Sequence, residues 1–365
     1  MRPDFNAIAR WFEFDGELIS VHLISTGHIH DTYTLLFHQR GLPCRYILQR
    51  INQNVFKDVD GLMQNIESVT AHLKKKIAEA GGNPERETLT LIPTIEGKSY
   101  YRNSEGDVWR AYLSIENART HEVVKTLRHV TSAARAFGRF QNLLSDFPIN
   151  QLFVTIPDFH NTAKRYRDFA MAVEQDKKNL ASSCQPEIEF VQERAGKTTI
   201  LLELLSRGQL TERITHNDTK FDNVMIDDAT GEGICVIDLD TVMPGLSLYD
   251  FGDSIRSIAN PAAEDERDLS KVQFNMKVFD RFTRGYLENA GDFLMPVEIE
   301  HLPFSAILMT LECGMRFLAD HLQGDIYFKI SRTNHNLDRC RTQFKLVQQM
   351  ETRIDEMSRI VEKYR

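Results

Sequence analysis

Residues 215–256 read THNDTKFDNVMIDDATGEGICVIDLDTVMPGLSLYDFGDSIR. His216 stands two positions before Asp218, and Asn223 follows five positions after it. Fifteen residues further, Asp238 closes the apolar run of residues 234–237, and Asp240 comes two residues later. An apolar, β-branched run bounded by turn residues predicts a buried strand, so Asp238 is expected at a strand end. Asp, Asn and His in a loop commonly cap helices and make turns, and H-x-D-x-x-x-x-N alone recurs by chance. The strand and the IDLD ending set this stretch apart from an ordinary turn.

The spacing suits phosphoryl transfer, and the protein-kinase pattern H-R-D-x-x-x-x-N with a later metal-binding aspartate has the same layout. Such a transfer asks the protein for positioning and charge neutralisation more than for covalent chemistry. Asp218 suits a base within hydrogen-bond reach of an acceptor hydroxyl. A four-residue loop returns the chain so that the Asn223 amide faces a cation, and Asp238 arrives from the opposite side. Hard oxygen donors of this kind, with water and phosphate completing the shell, suit Mg²⁺. Asp240 shares a face with Asp238 on an extended chain and offers an outer contact.

Outward from this stretch, the N-terminal third predicts strands over residues 18–25, 32–37, 45–50, 89–95 and 108–115. Between them Val59, Leu62, Ile66, Val69 and Leu73 recur at helical spacing, and that helix stops near Gly81-Gly82. After residue 120 the pattern becomes helical, with amphipathic residues 130–144, charged helices over 158–210 and an apolar helix over 304–322. A stripe from Cys340 to Val361 fits a helix packed on its own domain, or a short coiled coil. The fold class expected is α+β: an N-terminal antiparallel sheet with one helix, and a larger, mainly helical C-terminal lobe. The boundary is placed between lobes 1–116 and 117–365.

Composition bounds the rest. Fifty-two acidic residues against 44 basic ones leave a formal charge of −8, which argues against general nucleic-acid binding. Five dispersed cysteines without a Cys-x-x-Cys pair suggest reduced thiols in the cytoplasm. The opening MRPDFNAIARWFEF lacks the apolar core of a signal peptide, and residues 302–311 are too short to span a bilayer. No membrane and no protein partner are implied.

With these motifs in place, the chain resembles the aminoglycoside phosphotransferase and choline kinase superfamily, which shares the two-lobed protein-kinase-like fold. THNDTK and VIDLDTVMPG carry that resemblance. DFGDS and CGMRFLADHLQGDIYF narrow it to the N-acetylhexosamine 1-kinase branch. The likeness implies transfer of the ATP γ-phosphate to the anomeric hydroxyl of N-acetylglucosamine or N-acetylgalactosamine, with Mg²⁺. It implies Asp218 as base and sugar contact, Asn223 and Asp238 as metal ligands, and His28, Arg316 and Tyr327 as further sugar contacts. Gly27, Gln49 and the connector Ile115, Glu116 and Asn117 fall at the nucleotide.

Other readings of these residues stay open. Arg316 could be neutralised by Asp320 one turn on, Tyr327 could be core, and His28 with His30 could be read as a metal pair. Two departures stand out. Gln49 occupies the place of the strand-three lysine of protein kinases, with Glu67 as its expected partner and Arg50 on the other face. The loop STGHIHDTY holds one glycine, which makes it a poor phosphate cradle. The alternatives are a related kinase for an aminoglycoside, choline or homoserine, and a nucleotide-binding scaffold without activity. The scaffold would need none of Asp218, Asn223 and Asp238.

Overall fold

Three long strands, Glu17–Ile24 (β1), Asp31–Gln39 (β2) and Leu42–Arg50 (β3), make an antiparallel meander. These elements come from a computed structural model that describes residues 3–24, 29–121 and 126–365. A short helix, Phe5–Ala9 (α1), precedes the meander. The predicted helix follows as Val59–Glu79 (α2), capped by the Asp58 carboxylate on the Gly61 amide. Its predicted stripe is buried throughout, together with Met63 and Ile77. A single turn, Pro84–Glu87 (α3), leads into Leu91–Ile92 (β4), Tyr101–Arg102 (β5) and Val108–Leu113 (β6). The sheet order is β1-β2-β3-β6-β4, with β5 also on β6. The expected strand over 89–95 is thus only two residues long, and β5, α1 and α3 escaped prediction. All are too short to show a period.

The sheet separates two apolar layers. Leu35, Phe37, Leu48, Trp109 and Ala111 on the outer face pack with Ile8 and Phe12 of the N-terminal segment. The inner layer, with α2, is continuous with the core of the helical portion. Asn65 of α2 strengthens that junction. Its side-chain amide donates to the carbonyls of Phe153 and Val242, and its oxygen accepts from the Phe153 amide.

The connector runs into a two-residue strand, Ala118–Arg119 (β7). The helical portion begins with Leu127–Leu143 (α4), Thr162–Gln175 (α5), Gln185–Gln192 (α6) and Ile200–Ser206 (α7). The strand island follows as Arg213–Thr215 (β8), Val224–Asp227 (β9), Gly233–Val236 (β10) and Met243–Gly245 (β11). It forms two small sheets, β10-β9-β7 and β11-β8. Ser247–Ile258 (α8), Met276–Ala290 (α9), Pro296–Gln323 (α10), His335–Thr352 (α11) and Ile354–Tyr364 (α12) complete the chain.

Helix α10 starts eight residues before the predicted one and carries Pro303 inside it. It is long and apolar enough to cross a membrane, but its most apolar window is 78% buried within the fold. It is the central core helix. Gly252 of α8 allows the close approach to α10, because a Cβ there would sit 2.4 Å from the Ser305 carbonyl oxygen. The stripe of residues 340–361 is split at Arg353 into two helices, and its buried side chains face the chain's own core. That packing matches the own-domain reading. All five cysteines are free thiols.

Candidate active site

The loop of residues 216–218 hangs on one buried carboxylate. Asp250 of α8 accepts from the amides of His216 and Asn217, at 2.9 and 2.7 Å, and from Gln141 at 2.5 Å. Burial pushes this carboxyl up, partly offset by His216 and the three donors. Thr219 bonds the Asp250 carbonyl, and Ser254 bonds that of Thr219. Asn217 takes a left-handed backbone with φ of 64°, which asparagine tolerates, and ties its side chain to Thr215 and the Thr241 carbonyl. The loop therefore arrives pre-shaped, with Asp218 directed to the cleft.

Asp218 is half-buried. Lys220 sits 2.8 Å from one of its oxygens, and Asn223 donates to its carbonyl at 2.7 Å and its carboxylate at 3.2 Å. Burial alone would raise this carboxyl, but Lys220, His216 and Arg256 hold it below the usual range. Because Asn223 spends its NH₂ on Asp218, its side-chain oxygen is turned the other way.

Asp238 follows β10 in a left-handed conformation with φ of 60°. Its side chain reaches solvent at the cleft mouth, yet the surrounding walls and the carboxylates of Asp240 and Asp218 push its pKa well up. Asp240 behaves oppositely. It is buried, and Arg110 grips both of its oxygens, with 2.6 Å for the Nη2 bond. His30 adds a bond at 3.2 Å. The His30 Nδ1 accepts from the Asn52 amide, so the proton on Nε2 is the one offered to Asp240. Against burial, Arg110 and His30 hold the Asp240 carboxyl well below the usual range.

These contacts correct two expectations, those for Asp240 and for Gln49. Asp240 is no outer metal contact but the counter-ion of Arg110. Gln49 is not partnered by Glu67, which is exposed; it bonds Thr32 at 3.1 Å and accepts from Arg110 at 2.9 Å. The strand-borne cation is thus Arg110, which lies directly across from Gln49 in the β3–β6 register. His30 is a carboxylate partner, and no group of three or more His, Cys, Asp or Glu able to hold a metal occurs among the described residues. Gly27 and His28 lie outside the described residues. Arg50 does face away, bonding Asp31 and Asp107 and lying 5.9 Å from the Trp109 ring centre.

In the connector, Ile115 is buried. The Glu116 side chain pairs with Arg45, and its carbonyl accepts from Arg86 at 3.0 Å. The Asn117 carbonyl accepts from the Asp228 amide.

Arg316 of α10 is half-buried and does not pair with Asp320. Asp320 instead accepts from the amides of Ile326, Tyr327 and Phe328 at 2.8–3.0 Å and from the Asn336 side chain. The Arg316 guanidinium lies 5.5–5.9 Å from the ring centres of Phe159, Tyr327 and Phe328. Such ring faces return about 0.5–2 kcal/mol and offset part of the missing carboxylate. Tyr327 is 63% exposed, which excludes the core reading. Arg165 bonds the Phe159 carbonyl at 3.0 Å. Burial and the nearby Arg316 charge lower its pKa. Arg110, Asp250 and Arg165 were missed by the sequence reading. Asp250 alone had a signal, the DFGDS motif.

Residues 21–282 match the phosphotransferase enzyme family. The chain belongs to that family. Its fold is the protein-kinase-like one, as solved phosphotransferases show. An aminoglycoside phosphotransferase from Alicyclobacillus acidocaldarius superposes with a TM-score of 0.61 at 12% identity, covering 100% of this chain and 97% of that one. A spectinomycin phosphotransferase bound to ADP and spectinomycin gives 0.56 at 12% identity, covering 92% and 94%. A choline kinase from Cryptosporidium parvum gives 0.54 at 14% identity, covering 94% and 92%. At these identities the likeness of this phosphotransferase to its neighbours is one of fold.

Proposed function

We propose that the protein is an ATP-dependent, cytoplasmic kinase that phosphorylates the anomeric 1-hydroxyl of an N-acetylhexosamine. The carrying observation is the acceptor wall. Among the described residues neither Arg316 nor Arg165 forms an ion pair with a carboxylate, and three aromatic rings flank Arg316. Aminoglycosides, choline and ethanolamine are cations, and two guanidinium groups repel them. A neutral, acceptor-rich sugar with apolar ring faces is suited by arginine donors and aromatic platforms.

In this reading Asp218 orients the 1-hydroxyl and takes its proton, with its carboxylate kept ionised by Lys220 and Arg256. Arg316 and Tyr327 hold the sugar, and the family resemblance gives His28 the same role. The side-chain oxygen of Asn223 and the Asp238 carboxylate are the metal donors. The pair fits Mg²⁺, which is bound through one or two carboxylates and the substrate phosphates rather than by an all-protein cage. The bound ion supplies neutralisation of charge on the transferred phosphoryl group. Asp238, crowded by like charges, gains most from such a cation, while Asp240 is already neutralised by Arg110.

The nucleotide occupies the cleft between residues 1–116 and 117–365, near Gln49, and the family resemblance adds Gly27 to its contacts. Adenine meets the Ile115 carbonyl and the amides of Glu116 and Asn117, because the other two carbonyls are engaged. The test is coupled ADP release from Mg-ATP with a panel of N-acetylhexosamines, choline, homoserine and aminoglycosides. Stimulation by N-acetylhexosamines alone is expected, with phosphate on O1. Stimulation by a cationic acceptor instead would overturn the reading.

A further inference from the structure

His160 and Glu312 form a buried pair that this reaction scheme leaves unused. His160 precedes α5 and is 9% exposed; Glu312 in α10 is 1% exposed. The His160 Nδ1 lies 2.8 Å from a Glu312 oxygen, and Thr162 donates to the other. The Nε2 lies 2.9 Å from the carbonyl oxygen of Asn217. A carbonyl only accepts, so Nε2 carries a proton, and a carboxylate on the far side calls for a second proton on Nδ1.

The groups facing this ring support an imidazolium. Glu312 comes from α10, and Asp253 and Tyr249 from α8; the Arg316 and Arg165 charges act on Glu312. Burial opposes the charge, but Glu312 and then Asp253 outweigh it and raise the His160 pKa. Glu312 is correspondingly held below the usual carboxylate range, against burial.

The pair's neighbours give it a task. Asn217 is the residue before Asp218. Its amide is held by Asp250 and its side chain by Thr215 and Thr241, while its carbonyl is held by His160. Glu312 is one helical turn before Arg316 on the same helix. Phe159, adjacent to His160, lies under the Arg316 guanidinium at 5.7 Å. The dipeptide Phe159-His160 therefore touches the acceptor wall with one side chain and the catalytic loop with the other.

We propose that the His160–Glu312 pair is a positioning device that fixes Asp218 relative to the acceptor held at Arg316. It rests on the acceptor reading above and deepens it. Misplacing a reacting group by about 1 Å costs on the order of 10²-fold in rate, so a device of this kind has a measurable effect.

Glutamine and asparagine at position 160 separate its two bonds. His160→Gln keeps a donor near the Nε2 position, toward Asn217; His160→Asn keeps one near Nδ1, toward Glu312. The expected result in the full-length protein is a roughly 10- to 100-fold fall in kcat for His160→Asn, with the KM for ATP within about twofold. His160→Gln is expected to retain most of kcat at an equal or lower melting temperature. Equal kcat for the two variants, or kcat losses that simply follow the melting temperatures, would overturn the proposal. Nitrogen-15 NMR of the wild-type imidazoles at pH 7.5 serves if either variant fails to fold. Two protonated nitrogens on His160 are expected, and a bare one would overturn it. Wild-type protein that no hexosamine stimulates sinks the acceptor reading only; the variants are then compared on ATP hydrolysis to water, and the NMR result is unaffected.

Discussion

Asp218 and Arg110 both place a charge at the candidate site, one half-buried and one fully buried, and they reach it by different routes. Asp218 is delivered by a continuous stretch: its loop, its neighbour Asn223 and its anchor Asp250 all fall within residues 216–250. Arg110 reaches Asp240 across 130 residues, and only because β6 pairs with β3 in the register that sets it beside Gln49. Local encoding gives a motif. Register encoding gives a contact that no spacing along the chain announces, because the cross-strand partner is chosen by sheet assembly. The same division appears in the acids. Asp218 and Asp238 sit at the cleft and meet solvent, while Asp240 is withdrawn and neutralised.

The largest expected effect breaks the local half. Asp218→Asn is expected to lower turnover by roughly 10²–10⁴ while leaving ATP affinity nearly intact, since the loop's anchors on Asp250 stay in place. Steady-state kinetics with nucleotide titration measures both. Unchanged turnover would remove Asp218 from its role as base.

Next comes the register half. Arg110→Met removes one partner of a buried ion pair and leaves Asp240 with the His30 bond alone, at a cost of about 3–5 kcal/mol. Chemical denaturation should show that loss. Arg110→Met combined with Asp240→Leu should recover much of it, because no orphaned charge remains. A double variant no better than the single one would mean that the pair contributes through something other than charge matching.

These two regions also explain what could be read from the chain. Strands β1 to β3, helix α2 and the strand ending at Asp238 were legible because each repeats a local pattern or forms an apolar run bounded by turn residues. Gln49 was recognised as a departure, but its compensation at Arg110 was not, since Val108–Leu113 reads only as an apolar strand. Arg316 was recognised as costly within an apolar helix, yet the one neutralising partner that helical spacing offered was Asp320. The structure gives Asp320 to three backbone amides of the following loop and gives Arg316 three aromatic rings. Two of those rings, Tyr327 and Phe328, lie in that loop, and the third comes from position 159. Helical spacing therefore could not reveal the set.

Asp320 offers a smaller test on the acceptor side. Asp320→Ala strands three amides at the start of the loop holding Tyr327 and Phe328, and a lost partner of this kind costs about 1–3 kcal/mol. The expected result is a KM for the acceptor raised several-fold or more, with the KM for ATP unchanged. Equal changes in both would place the loop's influence on the whole cleft and not on the acceptor wall.

The smallest effect concerns the seam between the two regions, where Arg86 of α3 donates both to the Glu116 carbonyl and to the Asp227 carboxylate, at 3.0 and 2.9 Å. Asp227 also accepts from the backbone and hydroxyl of Thr230, and these donors with Arg86 lower its pKa to about 2. In an unfolded chain the value is about 3.9. A depressed folded pKa contributes stability that is present above the unfolded value and is lost as pH falls through the folded one. Wild type should therefore exceed Asp227→Asn in stability by a constant margin above about pH 5. That margin should shrink between about pH 4 and pH 2 and vanish below it. Thermal melts of both proteins from pH 2 to pH 7 measure the margin. A pH-independent difference would show that Arg86 holds the connector through the Glu116 carbonyl alone, leaving the joint between register-built and locally built halves indifferent to the charge on Asp227.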